Sequence, residues 1–238
     1  MDRTVKLLIQ RTHGRELMTV VVPEEASVLD ALEAAYRQDP TLMFRHSCHH
    51  ASCGSCGMII NSQERLACST SVGTASDERE MIHLEPMHHF PVVGDLAVDM
   101  TSFLANLEQI NRPLIRQDEA ETHTQALISE GPQRFHRFEN CIECGLCISA
   151  CPIAGIRKDY LGPAVLAAAE RLVDEPRGRD LSRVLDAVDR PNGIWRCHDV
   201  FLCTEVCPSG VHPAQAIVSL RQALIIHRPG GSKDEAAL

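Results

Sequence analysis

The segment Cys48–Cys56, which reads CHHASCGSC, and Cys68 beyond it decide how the first half of this chain folds. The spacing is C-x4-C-x2-C followed by a more distant cysteine, the plant-type arrangement for a [2Fe–2S] cluster. Thiolates suit iron because both are soft partners. Gly54 and Gly57 allow the backbone to curl closely around such a group. The spacing therefore predicts a [2Fe–2S] cluster bound by Cys48, Cys53, Cys56 and Cys68.

The sequence leaves three alternatives open for this first cysteine set: a zinc site, a disulfide pair or unused thiols. The two histidines of the loop add a fourth, because Cys48-x-His50 is half of a Rieske pattern, in which two histidines replace two cysteines. The second half would need a histidine three residues after Cys68, where the chain has Ser71. We therefore interpret His49 and His50 as bystanders near the cluster.

Two further cysteine groups lie in the second half of the chain, and with the first they account for all eleven cysteines. One is the run C-x2-C-x2-C-x3-C-P over 141–152, of the bacterial-ferredoxin type. The other has the spacing C-x5-C-x3-C-P over 197–208. In two-cluster ferredoxins the fourth cysteine of a run binds the other cluster. This crossing predicts a [4Fe–4S] cluster bound by Cys141, Cys144, Cys147 and Cys207.

Only three cysteines remain for the last cluster, namely Cys151, Cys197 and Cys203. Val200 stands where a C-x2-C-x2-C run would have its middle cysteine, and a valine side chain cannot bind iron. A site with one thiolate missing predicts a [3Fe–4S] cluster, the alternative being a fourth ligand from water or from Asp199. Since net cluster charge influences the reduction potential, we expect this cluster to be less reducing than its neighbour.

Charge and composition narrow the function classes that remain. The net charge of −9 argues against nucleic acid, which rewards clustered Lys and Arg, and against direct binding to an anionic membrane surface. An odd number of closely spaced cysteines indicates a reducing compartment rather than a secreted disulfide scaffold. The N-terminal residues show no signal-peptide core, and no apolar stretch approaches the ~18 residues of a membrane span. We therefore expect membrane attachment to require another subunit.

The hydrophobic pattern predicts an α+β protein whose first domain covers residues 1–106. Two strands around a turn at 13–15 are followed by a helix capped by Ser27, then by the cysteine loop and further strands. This is the element order of a β-grasp ferredoxin. The predicted strands cover residues 5–10, 17–22, 57–60 and 81–84.

The second domain, residues 107–238, is predicted to be all-α and to resemble a two-cluster ferredoxin. Its apolar residues recur at helical spacing, and Pro163 and Pro213 stand at helix starts. The predicted helices cover residues 164–172, 181–188 and 214–226. Residues 90–99, before the predicted domain boundary, are interpreted as a connector. Trp195 is predicted to be a core residue that shields a cluster.

Several segments match a known family in sequence as well as in spacing, with the three cysteine motifs in the family's order. These segments are RHSC (45–48), CGSCG (53–57), LAC (66–68), FPV (90–92), DLAVDM (95–100), CIECGLC (141–147) and CTEVCP (203–208). On these residues the chain resembles the iron–sulfur subunits of succinate dehydrogenase and quinol:fumarate reductase, over nearly its whole length. The resemblance implies a β-grasp domain, a helical domain and three clusters in series between a flavin and a quinone.

The resemblance also implies partners. These are a FAD-containing flavoprotein subunit that handles succinate and fumarate, and membrane anchor subunits that can carry haem b. It places the protein peripherally on the cytoplasmic face of a bacterial inner membrane, held by the anchor. The chain itself has no G-x-G-x-x-G fingerprint, so we expect it to bind neither FAD nor the dicarboxylate.

The family's quinone lies beside the [3Fe–4S] cluster, and His198 and Arg221 match positions implicated there. The alternatives are a hydrogen bond from His198 to the cluster or backbone, and a solvated helix position for Arg221. The residues after Pro152, at 153–155, depart from the tryptophan of many succinate dehydrogenases. This departure is closer to fumarate-reductase-like members and favours a low-potential quinone such as menaquinone.

Two other functions fit parts of the sequence. One is the relay subunit of a different flavin dehydrogenase, including variants that deliver electrons to thiol-based acceptors. The other is a zinc-stabilised interaction module, but zinc prefers four Cys or His ligands in a tetrahedron. Three ligands in 197–207 with an apolar residue in the gap fit zinc poorly.

Overall fold

The computed structural model describes residues 2–110, 140–174 and 181–227. The chain forms two compact units, and neither is continuous in sequence. The first joins Met1–Thr101 to the short segment Ile142–Ala150, and the second joins Ser102–Cys141 to Cys151–Leu238. The predicted domain boundary between residues 106 and 107 falls inside a helix of the second unit and stays a prediction.

A five-stranded sheet forms the body of the first unit, with the strand order β2-β1-β5-β3-β4. Strand β1 pairs antiparallel with β2 along its whole length and parallel with β5, while β3 pairs antiparallel with both β5 and β4. The parallel pair requires a crossover, and this crossover carries the first cysteine loop. The strands are β1 (Asp2–Arg11), β2 (Gly14–Pro23), β3 (Gly57–Ile60), β4 (Gln63–Leu66) and β5 (Met81–Glu85).

Helix α1 (Val28–Gln38) follows the sequence prediction closely. Ser27 caps its first turn, since its hydroxyl accepts a hydrogen bond from the backbone N–H of Asp30. The Asp30 carboxylate in turn accepts from the Ser27 N–H, which completes a capping box. The helix buries Leu29 and Leu32 on one side, as its periodicity indicates. A short helix, α2 (Val72–Ala75), follows the 3₁₀ turn Ala67–Ser69.

The region interpreted as a connector, 90–99, contains a small antiparallel pair, β6 (Val92–Gly94) and β7 (Ala97–Val98). Asp95 lies in the turn between them and is only 6% exposed. Its carboxylate accepts hydrogen bonds from the backbone N–H groups of Thr12 and Met43, at 2.9 and 2.8 Å. It also lies 3.2 Å from the buried guanidinium of Arg11 at the end of β1. One carboxylate therefore fastens this turn to the main sheet.

The described part of the second unit contains helices and no strands, so the predicted α+β class is confirmed. The first half of its helix Pro163–Asp174 is apolar, and residues 164–169 are all buried. This helix packs against the helices Leu181–Val188 and Pro213–His227. The helices of this region are α3 (Thr101–Ile110), α5 (Pro152–Ile156), α6 (Pro163–Asp174), α7 (Leu181–Val188), α8 (Leu202–Glu205) and α9 (Pro213–His227); α4 (Leu146–Ser149) belongs to the first unit. Within the described residues, none of the helices has the length and apolar character needed to cross a bilayer.

Replacing Asp95 with alanine should destabilise the first unit by about 2–3 kcal/mol, because two backbone donors and a buried guanidinium lose their acceptor. Arg11 keeps Asp39 and Glu16 at 2.9 and 3.0 Å, which limits the loss. We expect the thermal unfolding midpoint of the cluster-loaded chain to fall by several degrees. Glu25→Ala, at an exposed site in the same unit, serves as the control and should leave the midpoint unchanged. Equal midpoints for the two variants would contradict this role of Asp95.

Candidate metal centres

The first cysteine set is assembled by the loop before β3 and by the β3–β4 hairpin. Cys48, Cys53 and Cys56 lie on the loop, and Cys68 lies in the 3₁₀ turn that follows β4. The N–H of Ala67 donates to the carbonyl of Cys56 at 3.1 Å, which ties the two segments together. The structure thus brings all four predicted ligands to one end of the same hairpin.

Backbone N–H groups point at the sulfur atoms of this set. The N–H groups of His50 and Cys53 both donate to Cys48 Sγ at 3.3 Å. The N–H of Ala51 donates to Cys68 Sγ, also at 3.3 Å. His49 and Ala51 adopt left-handed φ angles of 61° and 56°, which turn the loop inward. Such donors stabilise negative charge on sulfur, so the loop fits a thiolate-bound cluster.

The thiols of this set differ in how readily they ionise. A hydrogen bond with the Ser55 hydroxyl, at 3.1 Å, is the main cause that lowers the pKa of Cys53 to about 6. Burial raises the pKa of Cys56 to about 12. In the structure Cys48, Cys53, Cys56 and Cys68 are all free thiols. A bound metal cation favours the thiolate form of a buried cysteine. It would therefore offset the effect of burial, which opposes ionisation of Cys56.

Arg45 lies beside this site and was not identified from the sequence. Burial lowers the pKa of its guanidinium, while the charge at Cys56 acts in the opposite direction. Nη1 contacts Met100 Sδ at 2.8 Å, and Nη2 is buried without a hydrogen-bond partner among the described residues. A cation held close to buried cysteines fits the negative charge of a cluster with four thiolate ligands. The residue thus adds to the fit of the site for [2Fe–2S].

Part of the second cysteine run packs directly on the first loop, within the first unit. A Cβ added at Gly54 would lie 2.7 Å from the Cβ of Cys144 and 2.8 Å from the carbonyl oxygen of Ile142. Ser149, at the end of α4, donates to the Glu64 carboxylate on β4 at 3.0 Å. The segment that carries Cys144 and Cys147 is therefore fixed to the domain that holds the first set.

The other members of the predicted [4Fe–4S] set, Cys141 and Cys207, belong to the second unit. The N–H of Val211 donates to Cys207 Sγ at 3.4 Å, so this sulfur also receives a backbone donor. The set therefore draws on both units, and its composition stays a prediction.

The third cysteine set lies entirely in the second unit and lines one concave pocket. The pocket is open to solvent. Burial raises the pKa of Cys203 to about 12, and the charges of the other two cysteines act in the same direction. The lining residues that bear on its chemistry are Cys151, Cys197, Cys203, Tyr160, His198 and Val200.

The pocket wall at residues 198–201 is a tightly turned loop. Asp199 and Phe201 have left-handed φ angles of 54° and 66°, and Val200 between them is half exposed. The Asp199 carboxylate forms an ion pair with Arg221 on α9, at 2.6 Å. Arg221 also donates to the backbone carbonyl of Cys197. Arg221 is therefore engaged in holding this loop, while His198 lies exposed on the pocket wall.

Tyr160 is a further residue of this pocket that the sequence did not reveal. Its side chain is buried close to the three cysteines of this set. Burial raises the pKa of Tyr160, and the charges of the three cysteines raise it further. The phenol therefore stays protonated and can donate a hydrogen bond toward the sulfur of Cys197.

The prediction for Trp195 was wrong. Its side chain is 49% exposed, and its indole N–H donates to the Asp189 carboxylate at 2.7 Å. The sequence suggested a core position because tryptophan is large and mostly apolar. In the structure, however, the indole N–H has a hydrogen-bond partner at the surface. Trp195 is therefore a surface residue of the described second unit.

Gly54→Ala should reduce the iron content of the purified chain, because the new methyl group would collide with Cys144 and Ile142. Gly210→Ala is a matched control: Gly210 has a similar φ of 65°, yet a Cβ there meets nothing within 4 Å. Both variants carry the left-handed strain of about 1–2 kcal/mol, so their difference isolates the collision. Iron per chain and the circular dichroism of the clusters measure the effect. Equal iron loss in both variants would contradict the packing argument.

Comparison with known proteins agrees with these sites. A family model for a 2Fe-2S iron-sulfur cluster binding domain matches residues 10–105. A second model, for a 4Fe-4S dicluster domain, matches residues 137–211. Both descriptions name iron–sulfur clusters, which removes the support for a zinc-stabilised interaction module.

Individual relatives extend the match to most of the chain. The fumarate reductase iron-sulfur subunit of Escherichia coli is 38% identical over 202 residues, which cover 82% of this chain and 81% of the relative. The succinate dehydrogenase iron-sulfur subunit of Paracoccus denitrificans is 34% identical over 200 residues, covering 83% and 76%. A chain of the solved Mycobacterium smegmatis Sdh1 complex in the apo form superposes with a TM-score of 0.85 at 25% identity, covering 97% of this chain and 99% of that one. The chain belongs to the family of succinate dehydrogenase and fumarate reductase iron–sulfur subunits, which are parts of a quinone-linked oxidoreductase complex.

Proposed function

We propose that this chain relays single electrons between a FAD-containing flavoprotein subunit, which handles succinate and fumarate, and a membrane quinone. The path runs through [2Fe–2S], [4Fe–4S] and [3Fe–4S] clusters in series. The observation that carries the proposal is the contact in the first unit between Gly54, inside the first cysteine loop, and Cys144 of the second run. Two sets of cysteine ligands held this close suit electron transfer from one centre to the next.

The proposed ligands follow the sequence assignment. The [2Fe–2S] cluster is assigned to Cys48, Cys53, Cys56 and Cys68; the [4Fe–4S] cluster to Cys141, Cys144, Cys147 and Cys207; and the [3Fe–4S] cluster to Cys151, Cys197 and Cys203. When bound, such clusters take up and release one electron at a time, which divides a two-electron oxidation into single steps. The chain's own residues hold the sulfur ligands, donate hydrogen bonds to them and limit their contact with water.

Two observations support a three-thiolate site at the last cluster. Val200 occupies the place of a fourth cysteine and borders the same pocket as the other three. Asp199, the other candidate ligand, has one carboxylate oxygen paired with Arg221 at 2.6 Å. A carboxylate already bound to a guanidinium is a poor ligand for iron, so the pocket favours [3Fe–4S].

The quinone end of the path is proposed at this pocket. His198 is exposed on its wall and can donate to a quinone oxygen. Arg221 is a positioning residue: its guanidinium binds Asp199 and the carbonyl of Cys197, and so holds the loop that contains His198. A hydrogen-bond donor held in place beside a quinone stabilises the charge that develops during its reduction.

Exposed apolar side chains of the second unit support an anchor partner. Ile225 and Ile226, near the end of α9, are 63% and 71% exposed, and Trp195 is 49% exposed. Large apolar side chains in such positions are typical of protein interfaces. We propose that membrane anchor subunits, with or without haem b, hold the chain peripherally on the cytoplasmic face of a bacterial inner membrane.

Low-temperature EPR of the anaerobically purified chain tests the proposal, as isolated and after reduction with dithionite. We expect a [3Fe–4S] signal in the oxidised sample and [2Fe–2S] and [4Fe–4S] signals in the reduced one. Val200→Cys should replace the oxidised [3Fe–4S] signal with a second reduced [4Fe–4S] signal, because it restores the fourth thiolate. Val200→Ala, the control, should keep the wild-type spectrum. Two [4Fe–4S] signals in the wild type would contradict the ligand assignment and favour a different flavin-linked relay.

Tyr160→Phe should lower the midpoint potential of the [3Fe–4S] cluster, since the donor to Cys197 stabilises the more negative, reduced state. A net hydrogen bond of about 0.5–1.5 kcal/mol corresponds to about 20–60 mV for a one-electron couple. Potentiometric EPR titration measures this shift. Tyr36→Phe, at a residue of the first unit that is 46% exposed, is the control and should leave the potential unchanged. An unchanged or raised potential in Tyr160→Phe would contradict the donor role.

A further inference from the structure

Three side chains outside the cysteine sites converge on one point of the first unit. They are Glu33 on α1 and two histidines that flank the first cysteine, His46 and His49. Glu33 Oε1 lies 3.2 Å from His49 Nε2 and 3.6 Å from His46 Nδ1. The two ring nitrogens are 3.4 Å apart. None of the three residues belongs to the proposed iron ligands.

These separations match the edges of a zinc coordination tetrahedron. Zinc binds histidine nitrogen and carboxylate oxygen at about 2.0–2.2 Å, so ligand atoms at the corners of a tetrahedron lie about 3.3–3.6 Å apart. The three observed distances, 3.2, 3.4 and 3.6 Å, lie in or next to that range. An ion can therefore be placed between the three atoms with little rearrangement of the side chains.

Neighbouring structure holds the histidine rings in this arrangement. The ring of His46 stacks on Phe44, with centroids 5.1 Å apart and an interplanar angle of 24°. Tyr36 supports Phe44 from the edge, at 6.1 Å. His49 sits at a left-handed φ of 61°, and its ring meets that of His46 nearly at a right angle. Ordered ligand side chains reduce the entropy lost when a metal binds.

A divalent cation placed among the Glu33 oxygen and the two facing ring nitrogens would interact favourably with all three atoms at once.

We propose that Glu33, His46 and His49 form a Zn²⁺ site, with water as the fourth ligand. The side chains are 29%, 41% and 37% exposed, so both the ion and the water can reach the site. Imidazole ligands favour zinc over magnesium or calcium, which prefer oxygen. Bound zinc would link α1 to the loop that begins at Cys48. The proposal does not depend on the electron-relay function.

Zinc K-edge absorption spectroscopy on the full chain, with its clusters in place, identifies the ligands. The chain receives one equivalent of Zn²⁺ and is dialysed, and the zinc and iron contents are measured on the same sample. We expect one retained zinc, unchanged iron, and nitrogen or oxygen ligands at about 2.0–2.2 Å with imidazole scattering. Sulfur ligands at about 2.3 Å would show zinc in a cysteine site instead and would overturn the proposal. No retained zinc would overturn it as well.

Glu33→Gln tests the assignment without altering the cysteine loop. Loss of a direct ligand should weaken zinc binding at least as much as loss of an outer-shell partner does, about 10–100-fold. Glu25→Gln, at an exposed residue before the same helix, is the matched control and should bind zinc as the wild type does. His46→Gln is a second ligand variant. Its iron content is measured alongside that of the wild type to check that the clusters are retained. Wild-type zinc affinity in both ligand variants would assign the ion elsewhere and reject the site.

Discussion

The close approach of the Gly54 backbone to the segment around Cys144 is the contact on which the arrangement of ligands in the first unit depends. A Cβ at Gly54 would lie 2.7 Å from the Cβ of Cys144, whereas carbon atoms in good contact are about 3.5–4.0 Å apart. The chain can therefore pass here only as glycine. This contact joins cysteines from two motifs, which lie far apart in sequence, within one compact unit. The hydrogen bond between Ser149 and Glu64 fixes the far end of the same segment.

The burial of thiols explains much of what surrounds the cysteines. Burial alone raises the pKa of a cysteine, as it does at Cys56 and Cys203, and so opposes the thiolate that iron requires. The fold offsets this cost with donors that are already in place: the backbone N–H groups of the 48–53 loop, the guanidinium of Arg45 and the phenol of Tyr160. None of these groups changes the ligand count. They determine how much negative charge the sulfur atoms can carry and how strongly an added electron is stabilised.

The sequence predicted local features well because they depend on neighbours in the chain. The N-cap at Ser27 and the helix over 164–172 are predicted from spacing within a few residues, and both are present. The cysteine spacings belong to the same class, and the family matches agree with them. The turn at Asp95 was missed because its partner Arg11 is more than 80 residues away. Such a contact leaves no periodic signal in the sequence.

The groups that tune the sites were missed for the same reason. Arg45 stands three residues before Cys48, so the sequence indicates only that it is near the cysteine loop. Nothing in the sequence indicates that its guanidinium is buried. Tyr160 lies between cysteine motifs with no spacing rule that links it to Cys197. Trp195 is a residue that was wrongly predicted to be buried, because its side chain is large and mostly apolar. In the structure its indole N–H instead donates to the carboxylate of Asp189 at the surface. Polar contacts determine where these three side chains lie, and such contacts cannot be predicted from the hydrophobic pattern of the sequence.

The pocket of the third cysteine set separates the shape of its loop from the side chain at position 200. Left-handed φ angles at Asp199 and Phe201 place Val200 half exposed on the pocket wall, and Arg221 holds the backbone of this loop. The polar contacts that fix the loop do not involve the side chain of Val200. We therefore expect valine or cysteine at this position to be compatible with the same backbone. On the proposed ligand assignment, the identity of this one side chain sets the number of thiolates in the pocket.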